Sequence, residues 1–494
     1  LLQEFRKDRL FKQYSAILID EAHERSLNID ILLGILKQVL KVRPEFRVII
    51  ASATIDSSLF QAFFESSVLL EAVGRPFPVA VEYRDPFESE NSSRGDSGVL
   101  EEALEAILDL ETRYRDHLLC FLPTERDIQD LANLLQKELD ERFEILPLYG
   151  RMSPGEQKKV FKSTTKTRIV LATNIAETSL TIPGIAYVVD SGTARISRYN
   201  AQARIQGLPV EEISQASARQ RTGRAGRVKP GVCIRLYSEK NFLDRDAYTE
   251  PEIRRSNLAN VVLLLRSLDL SAEQFDFIQP PLRSAFRGAY RTLFELGALS
   301  SADANARVTS FGKEMSKLPM DVALSAVLLR ASKMGVQQPA IIVCAALSLQ
   351  DVRLIPQEET ERNKAKESHR KFGKYKSDFL LYLSIWNAFV TELGEGSLNK
   401  LRKFCDKNYL HFLRCREWID LYEQYCRLLK VGFQSRECPL DSFHRVYLHQ
   451  ALLYGFLGGI AKRNTEKSSY QLVSGRDVYV FPGSDLANKN VDWL

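Results

Sequence analysis

The sequence predicts an α/β protein built on parallel sheet, continued by a mostly helical half and a small β tail. Three observations carry this. Short apolar runs rich in Ile and Val recur before Glu250 without polar alternation, each followed by a polar turn and a helix-like pattern. Strands of that kind, separated by amphipathic segments, belong to sheets covered on both faces. Beyond Glu250 the apolar residues move to helical spacing, and from Tyr447 glycines return with an alternating Val-Tyr-Val-Phe run at 478–481.

In chain order, strands are expected at Ser15–Ile19, Arg47–Ala51, His117–Phe121, Arg168–Ala172 and Ala186–Val189. The polar clusters fall directly after them: Asp20, Ser52-Ala53-Thr54, Pro123-Thr124, Thr173-Asn174 and Asp190-Ser191-Gly192. Ligands of open α/β sheets sit at the carboxyl ends of strands, so the five clusters are expected along one cleft edge. Arg-Pro-Phe-Pro within Gly74–Pro78 breaks helix and strand alike and marks a linker, while Pro86–Ser97 has the polarity of a loop. This places an α/β unit with two evident strands before Gly74 and a fuller one from about Val79 to Tyr248.

In the helical half, Leu258, Val262, Leu265 and Leu268 share one face, and Leu293 and Leu296 precede a stop at Gly297. Ala323–Leu329 and Ala340–Leu349 read as buried helices, and the Leu, Trp and Tyr residues of Asp378–Leu429 as helical core rather than base-stacking surface. The tail ends at Leu494 with no evident final element.

At 494 residues, with about 150 per domain, three or four domains are expected. Hydrophobic content of 45% and charged content of 27% are those of a globular protein, and no apolar run reaches the length of a membrane span. The seven cysteines form no C-x-x-C pair, which favours reduced, buried thiols in a cytoplasmic protein over a zinc site or a disulfide framework. Net charge is +5, and the stretch from Glu361 to Lys376 alone holds seven Lys/Arg against two Glu. A solvated helix face accounts for that stretch, and a phosphate-backbone contact is the functional alternative.

The chemistry concentrates in Asp20-Glu21-Ala22-His23 and in Gln220–Arg227, Q-R-T-G-R-A-G-R. Hydrolysis of a nucleoside triphosphate requires a metal on the phosphates, a group that orients water, and cationic donors for the charge building on the γ-phosphate. Two adjacent carboxylates after an apolar strand supply the first two, although a helix N-cap explains an isolated Asp-Glu pair equally well. Arg224 and Arg227, three residues apart, correspond to one helical turn and so to one phosphate. Ser214–Arg219 can begin a helix, which argues for an ordered site over a flexible Arg-Gly segment.

Ile17–Leu27, Ser52-Ala53-Thr54, Thr173–Ile182 and Gln220–Arg227 resemble motifs II, III, V and VI of the DEAH/RHA helicases of superfamily 2. Phe121-Leu122-Pro123-Thr124 is similar to motif IV, with Thr124 where Gly is frequent, and Leu347–Val352 and His369–Trp386 resemble the bacterial HrpA-like branch. The resemblance implies two RecA-like domains, the first truncated, at 1–78 and 79–249, a winged helix at 250–306, a helical ratchet at 307–432, and an OB-fold, incomplete, at 433–494. It assigns Asp20 to magnesium through water, Glu21 to the catalytic base, and His23 with Gln220 to contact across the cleft. Ser52 and Thr54 would couple hydrolysis to movement, and Thr181, Arg224 and Arg227 would face ATP or another nucleoside triphosphate. Thr173, Asn174 and Thr178 would lie toward RNA. Many eukaryotic members carry Asp where Pro183 stands, so their ribose contact is not carried over.

Arg195–Arg204 fits the family's strand-separating hairpin and equally an ordinary basic hairpin, and Arg476 is a further candidate RNA contact. No G-x-x-x-x-G-K-[S/T] occurs and the sequence opens on Leu1, so motifs I, Ia and Ib are expected upstream, and these residues alone are expected to be inactive. The expectation is a monomeric, cytoplasmic, ATP-dependent RNA helicase acting on single-stranded or overhang-bearing RNA. An ATP-independent RNA-binding fragment and a DNA translocase on the same motor are the alternatives.

Overall fold

The computed structural model describes residues 1–494 except 54–55, 73, 75–76, 85–95, 115, 153, 178–180, 201–204, 357, 374–375, 395–397, 434, 465–468, 488 and 490. The chain forms two compact units: Leu1–Tyr199, Gln206–Ser256 and Asp276–Pro280 make the first, and Asn200–Ile205, Asn257–Phe275 and Pro281–Leu494 the second.

The first unit holds two parallel sheets. Strands β1 (Ala16–Ile19) and β2 (Arg47–Ile50) pair in parallel, with helices α1 (Leu2–Lys7), α2 (Leu27–Val42) and α3 (Ser57–Phe63) around them. Only one face of this pair is covered. Ile17 and Ile19 are buried, whereas Leu18 is 60% and Ile49 52% exposed in this 494-residue chain.

The larger sheet is formed by β3 (Val79–Tyr83), β4 (Leu118–Phe121), β5 (Phe143–Leu148), β6 (Thr167–Ala172), β7 (Tyr187–Asp190) and a strand at Gly231–Arg235, six strands paired in parallel throughout. Here both faces are covered. Leu118 and Cys120 of β4 enter a core with Ile107, Leu110, Ile128 and Leu131, while Leu119 and Phe121 enter a second with Val160, Ala176 and Ile182. Alternation of side chains about a strand makes this division, and every residue of β4 is buried.

Helix α4 (Asp96–Arg113) begins inside the stretch read as a loop, whose other residues lie largely outside the described ones. Helix α5 (Glu125–Glu138) starts on a reciprocal cap, in which the Thr124 hydroxyl accepts the Asp127 N–H and the Asp127 carboxylate accepts the Thr124 N–H. Such a cap stabilises by about 1 kcal/mol, so Thr124 starts a helix here. A four-residue helix α6 (Pro154–Gln157) follows.

After β7 the chain forms β8 (Thr193–Arg195), β9 (Arg198–Asn200), β10 (Ile205–Gly207) and β11 (Val210–Glu212). β8 pairs antiparallel with β11, and β9 pairs with β10, so that Thr193–Asn200 and Ile205–Glu212 form the two arms of a hairpin; 201–204, the end of the Arg195–Arg204 stretch, lie outside the described residues. Helix α7 (Gln215–Thr222), β12 (Gly231–Arg235), α8 (Glu239–Asp244) and α9 (Glu252–Arg255) complete the unit. Phe77, in the expected linker, donates its backbone N–H to Gly226 O at 2.8 Å and so ties that segment to the arginine-glycine tract.

The second unit contains α10 (Ala259–Ser267), α11 (Arg283–Glu295), α12 (Ser310–Met315), α13 (Val322–Lys333), α14 (Gln337–Leu347), α15 (Glu359–Arg370), α16 (Asp378–Gly394), α17 (Leu398–Lys407), α18 (Phe412–Leu429) and α19 (Ser442–Gly455). Gly297 adopts φ +75° directly after α11, the left-handed conformation that ends helices and suits glycine. The aromatics of α16 and α18 are core: Trp386 and Trp418 are fully buried with ring centroids 5.2 Å apart. Each indole N–H is satisfied, by Arg436 O at 2.7 Å and Ile342 O at 2.8 Å respectively. Leu448, Ala451 and Leu452 of α19 enter the same core. On α15, Ala365 and Ser368 are buried while Lys364, Lys366 and Arg370 are exposed, the arrangement of a helix with one solvated face.

The tail holds β13 (Ala461–Arg463), β14 (Tyr470–Leu472) and β15 (Asp477–Val478), an antiparallel meander. Only two residues of the region around the alternating 478–481 run pair, and Tyr479 and Phe481 are 73% and 66% exposed. No named element follows β15, but the last residues pair with β13: Leu494 exchanges both backbone hydrogen bonds with Ala461, and Arg463 N–H reaches Asp492 O at 2.9 Å. Alternation without a partner of matching length does not make a strand, whereas paired backbone does.

Among the described residues no helix is long and apolar enough to cross a membrane. The seven cysteines are free thiols, and burial pushes the Cys233 thiol up to about 12.

Candidate functional site

Asp20 is exposed directly after β1, and its carboxylate accepts the Glu21 N–H at 2.9 Å. Glu21 then turns into the left-handed region at φ 51°, and Ala22 N–H bonds Ala51 O at the end of β2. A non-glycine residue held there costs about 1–2 kcal/mol, and the backbone bonds on either side impose it. The Asp-Glu pair is therefore not a side-chain helix cap: the following turn has no side-chain cap bond. His23 Nδ1 lies 3.3 Å from the Glu21 carboxylate and 3.2 Å from Ser52 Oγ, which joins the acidic turn to the cluster after β2. His23 Nε2 is buried and makes no hydrogen bond among the described residues. Thr54 lies outside the described residues.

From the larger sheet come the guanidiniums. Ser214 caps α7 by accepting the Ser217 N–H, and Gln220 sits half-buried in the last turn. The helix ends at Thr222, so Arg224 and Arg227 do not share a helical face as their spacing suggested. They converge through the turns that follow, both bordering a small hollow lined by Leu119, Ala176, Ile182 and Ile185. Those turns run tight against the sheet. A Cβ on Gly226 would meet Phe77 O at 2.5 Å and Val79 Cγ2 at 2.7 Å, which accounts for glycine.

Arg227 donates to Thr181 Oγ1 at 2.6 Å, both residues exposed. Arg224 is buried and donates to Glu177 O. Burial first, and Arg227 beside it, push its guanidinium down to about 10, while Glu177 and Glu21 pull the other way. Arg224 thus stays protonated at neutral pH, within the field of the Glu21 carboxylate.

Arg221, central in the tract, does something else. It is 1% exposed, donates to Glu177 at 3.0 Å and Asp190 at 2.7 Å, and lies 4.8 Å over the Phe121 ring. Burial alone would lower this guanidinium, but the Asp190 and Glu177 carboxylates hold it well above its ordinary range. Asp190 also accepts the Tyr237 hydroxyl at 2.9 Å, and Glu177 accepts the Ser217 hydroxyl. Asp190 is fully buried, so the cluster after β7 anchors the site from beneath and does not line the cleft. Glu177 and Arg221 were not singled out by sequence reasoning; a charged residue in the otherwise neutral Thr173–Ile182 run was the available signal.

Thr173 and Asn174 follow β6, half-buried and exposed respectively, and Thr178 lies outside the described residues. Arg195 is exposed at the end of β8, opposite Val210. Arg476 is exposed beside Gly475 in the turn between β14 and β15, in the second unit. Among the described residues no three metal-ligating side chains converge. A magnesium ion does not need them, since it is commonly held by one or two carboxylates, waters and substrate phosphates, and Asp20 fits that donor set.

Doubly covered parallel sheet, strand-end carboxylates and an arginine-glycine tract after α7 are the features of the RecA-like class of helicase cores. Residues 100–229 match the helicase conserved C-terminal domain, 289–320 the winged-helix part of the helicase associated domain HA2, and 321–382 its ratchet-like part. The whole chain is 43% identical to the ATP-dependent RNA helicase HrpA of Escherichia coli, covering 38% of that protein. It is 30% identical to human DHX35, a probable ATP-dependent RNA helicase, covering 71% of it. The crystal structure of the Escherichia coli DExH-box NTPase HrpB superposes with a TM-score of 0.76 at 26% identity, over all of this chain and 53% of that one. The chain belongs to the DEAH-box ATP-dependent RNA helicase family, in its HrpA-like branch. It spans less than two fifths of the HrpA proteins' length.

Proposed function

We propose that these residues form the greater part of a motor that couples hydrolysis of ATP, or another nucleoside triphosphate, to remodelling of RNA. The observation that carries this reading is geometric: Glu21, His23 and Ser52 form one linked cluster at the ends of β1 and β2, and Arg224 and Arg227 emerge together after α7, held at Glu177 and Thr181. Glu21 would take the proton of the attacking water, held by His23, which Ser52 orients. Arg224 and Arg227 would receive charge developing on the γ-phosphate, with Thr181 holding Arg227 in place. Asp20 would hold magnesium through water, and the ion when bound neutralises phosphate charge. Gln220 would meet His23 across the cleft, and Thr54 would join Ser52 in coupling. Thr173, Asn174, Thr178, Arg195 and Arg476 would grip RNA, mostly through its backbone. The divisions at 78, 249, 306 and 432 into RecA-like, winged-helix, ratchet and OB-fold parts belong to the same reading. The strands described in the tail fall short of the five of an OB barrel.

The test joins these 494 residues behind a phosphate-binding loop and measures hydrolysis with and without single-stranded RNA. Turnover should rise with RNA and vanish in Glu21→Gln. Normal turnover in that variant would remove Glu21 from the role of base, and stronger stimulation by the matched DNA strand would overturn the choice of RNA.

A further inference from the structure

Between β12 and the second unit the chain passes through Asp246–Arg255, a stretch outside the proposed hydrolytic site that touches three parts of the first unit. Its backbone carbonyls at Asp246 and Ala247 accept the Gln215 and Ala216 N–H groups at 2.9 and 3.0 Å, satisfying the start of α7. Thr249 Oγ1 lies 3.0 Å from the Ser214 hydroxyl that caps the same helix. Glu250 pairs with Arg198 at the base of the hairpin, and Arg198 also holds Glu211 at 2.8 Å. Arg255 donates to Ser197 O at 3.0 Å and back to Glu250 O at 3.1 Å.

Glu252 faces the other way. Its carboxylate accepts the Leu27 N–H at 3.0 Å, at the first turn of α2, and its own N–H donates to Arg25 O at 3.1 Å. Arg25 follows the Glu21 turn in a left-handed conformation, φ 46°, and its buried guanidinium is fixed by Asp30 at 2.6 Å and Gln279 at 2.9 Å. A charge-assisted bond at a helix N-terminus is among the stronger single contacts, so the acidic turn is seated on Glu252.

We propose that Thr249–Arg255 is a coupling segment, in which Glu252 positions the turn bearing Glu21 while Glu250 and Arg255 position the hairpin. Its functional meaning rests on the helicase reading: movement of the hairpin along a strand would be felt at the hydrolytic turn through this one short segment. Glu252 and Glu250 are positioning residues and touch neither nucleotide nor RNA in this scheme. Coupling between two sites is reciprocal, so a perturbation at either end must appear at the other.

Amide hydrogen exchange on the 494-residue chain tests this without nucleotide or RNA. Glu252→Gln should speed exchange at Ala22–Leu27 and, by about threefold to tenfold, at Thr193–Arg195 and Val210–Glu212. Arg198→Gln should do the reverse, loosening the hairpin and speeding exchange at Ala22–Leu27 by a similar factor. Exchange in β4 should not change, and Arg142→Gln, at an exposed ion pair with Asp140, should move neither region. Effects confined to the mutated side would overturn the proposal, leaving two independent structural staples. If Glu252→Gln disturbs β4, Glu252→Asp, which keeps the charged acceptor, must restore both regions together; restoration of only one overturns the proposal equally. Because hydrolysis is not read, loss of the helicase reading and loss of this coupling are separate results.

Discussion

Replacing Arg221 by Met tests whether the arginine-glycine tract is held up from beneath. Arg221 is 1% exposed and its partners Asp190 and Glu177 have side chains 0% and 13% exposed, so Met fills the space but strands a carboxylate in the core. Breaking a buried pair from one side costs roughly 3–5 kcal/mol, because the remaining charge is neither solvated nor paired. At about 1.4 kcal/mol per factor of ten, amides of β4 and β7 whose exchange follows opening of this sheet should exchange about 10²–10⁴ times faster. Adding Asp190→Asn removes the stranded charge and should recover a large part of that loss, since residues in one network are not additive. Hydrogen exchange read by mass spectrometry at Leu118–Phe121 and Tyr187–Asp190 measures both variants. A single-variant effect below about tenfold, or a double variant no better than the single, would refute the account of a buried ionic anchor.

Arg227→Ala, in the polypeptide carrying a phosphate-binding loop, should lower turnover by about 10³-fold or more while leaving exchange in β4 unchanged, since Arg227 is exposed and donates to Thr181 at the surface. Steady-state kinetics decide it, and a change in KM alone would reassign Arg227 to ground-state binding. Burial lowers the folded-state values of His117 in the first unit and His369 in the second below the ordinary histidine range. The folded chain therefore binds fewer protons than the unfolded one as pH falls below about 6.5, so stability is complete above that value and declines beneath it. His117 Nδ1 accepts the Arg168 N–H at 3.1 Å, a bond that protonation would break. Melting followed from about pH 7.5 to about pH 5.5, on either side of the ordinary histidine value, should show the decline, shallower in His117→Asn; equal slopes would exclude His117 as a source.

Much of the architecture was legible because buried parallel strands need no alternation. The five expected strands appear within a residue or two of their places, and the helix after Ser214 starts on the residue suited to cap it. What was not legible depends on partners distant in sequence. Arg221 reads as one more basic residue of a phosphate-facing tract, and only the fold brings Asp190 and Glu177 to it, 31 and 44 residues away in sequence. The reach of Arg224 and Arg227 was anticipated, but by a helical turn that ends before either of them.

The left-handed backbone at Glu21 has a consequence for how such a protein tolerates change. Glycine there would relieve the torsional penalty on any side chain, so a library sorted only for survival on heating should enrich glycine at this position, with asparagine behind it. Those survivors would be sturdier and, on the proposed function, would lack the catalytic base. If Glu21 is the base proposed above, heat resistance and turnover pull in opposite directions at this position, and sorting for both at once should return glutamate.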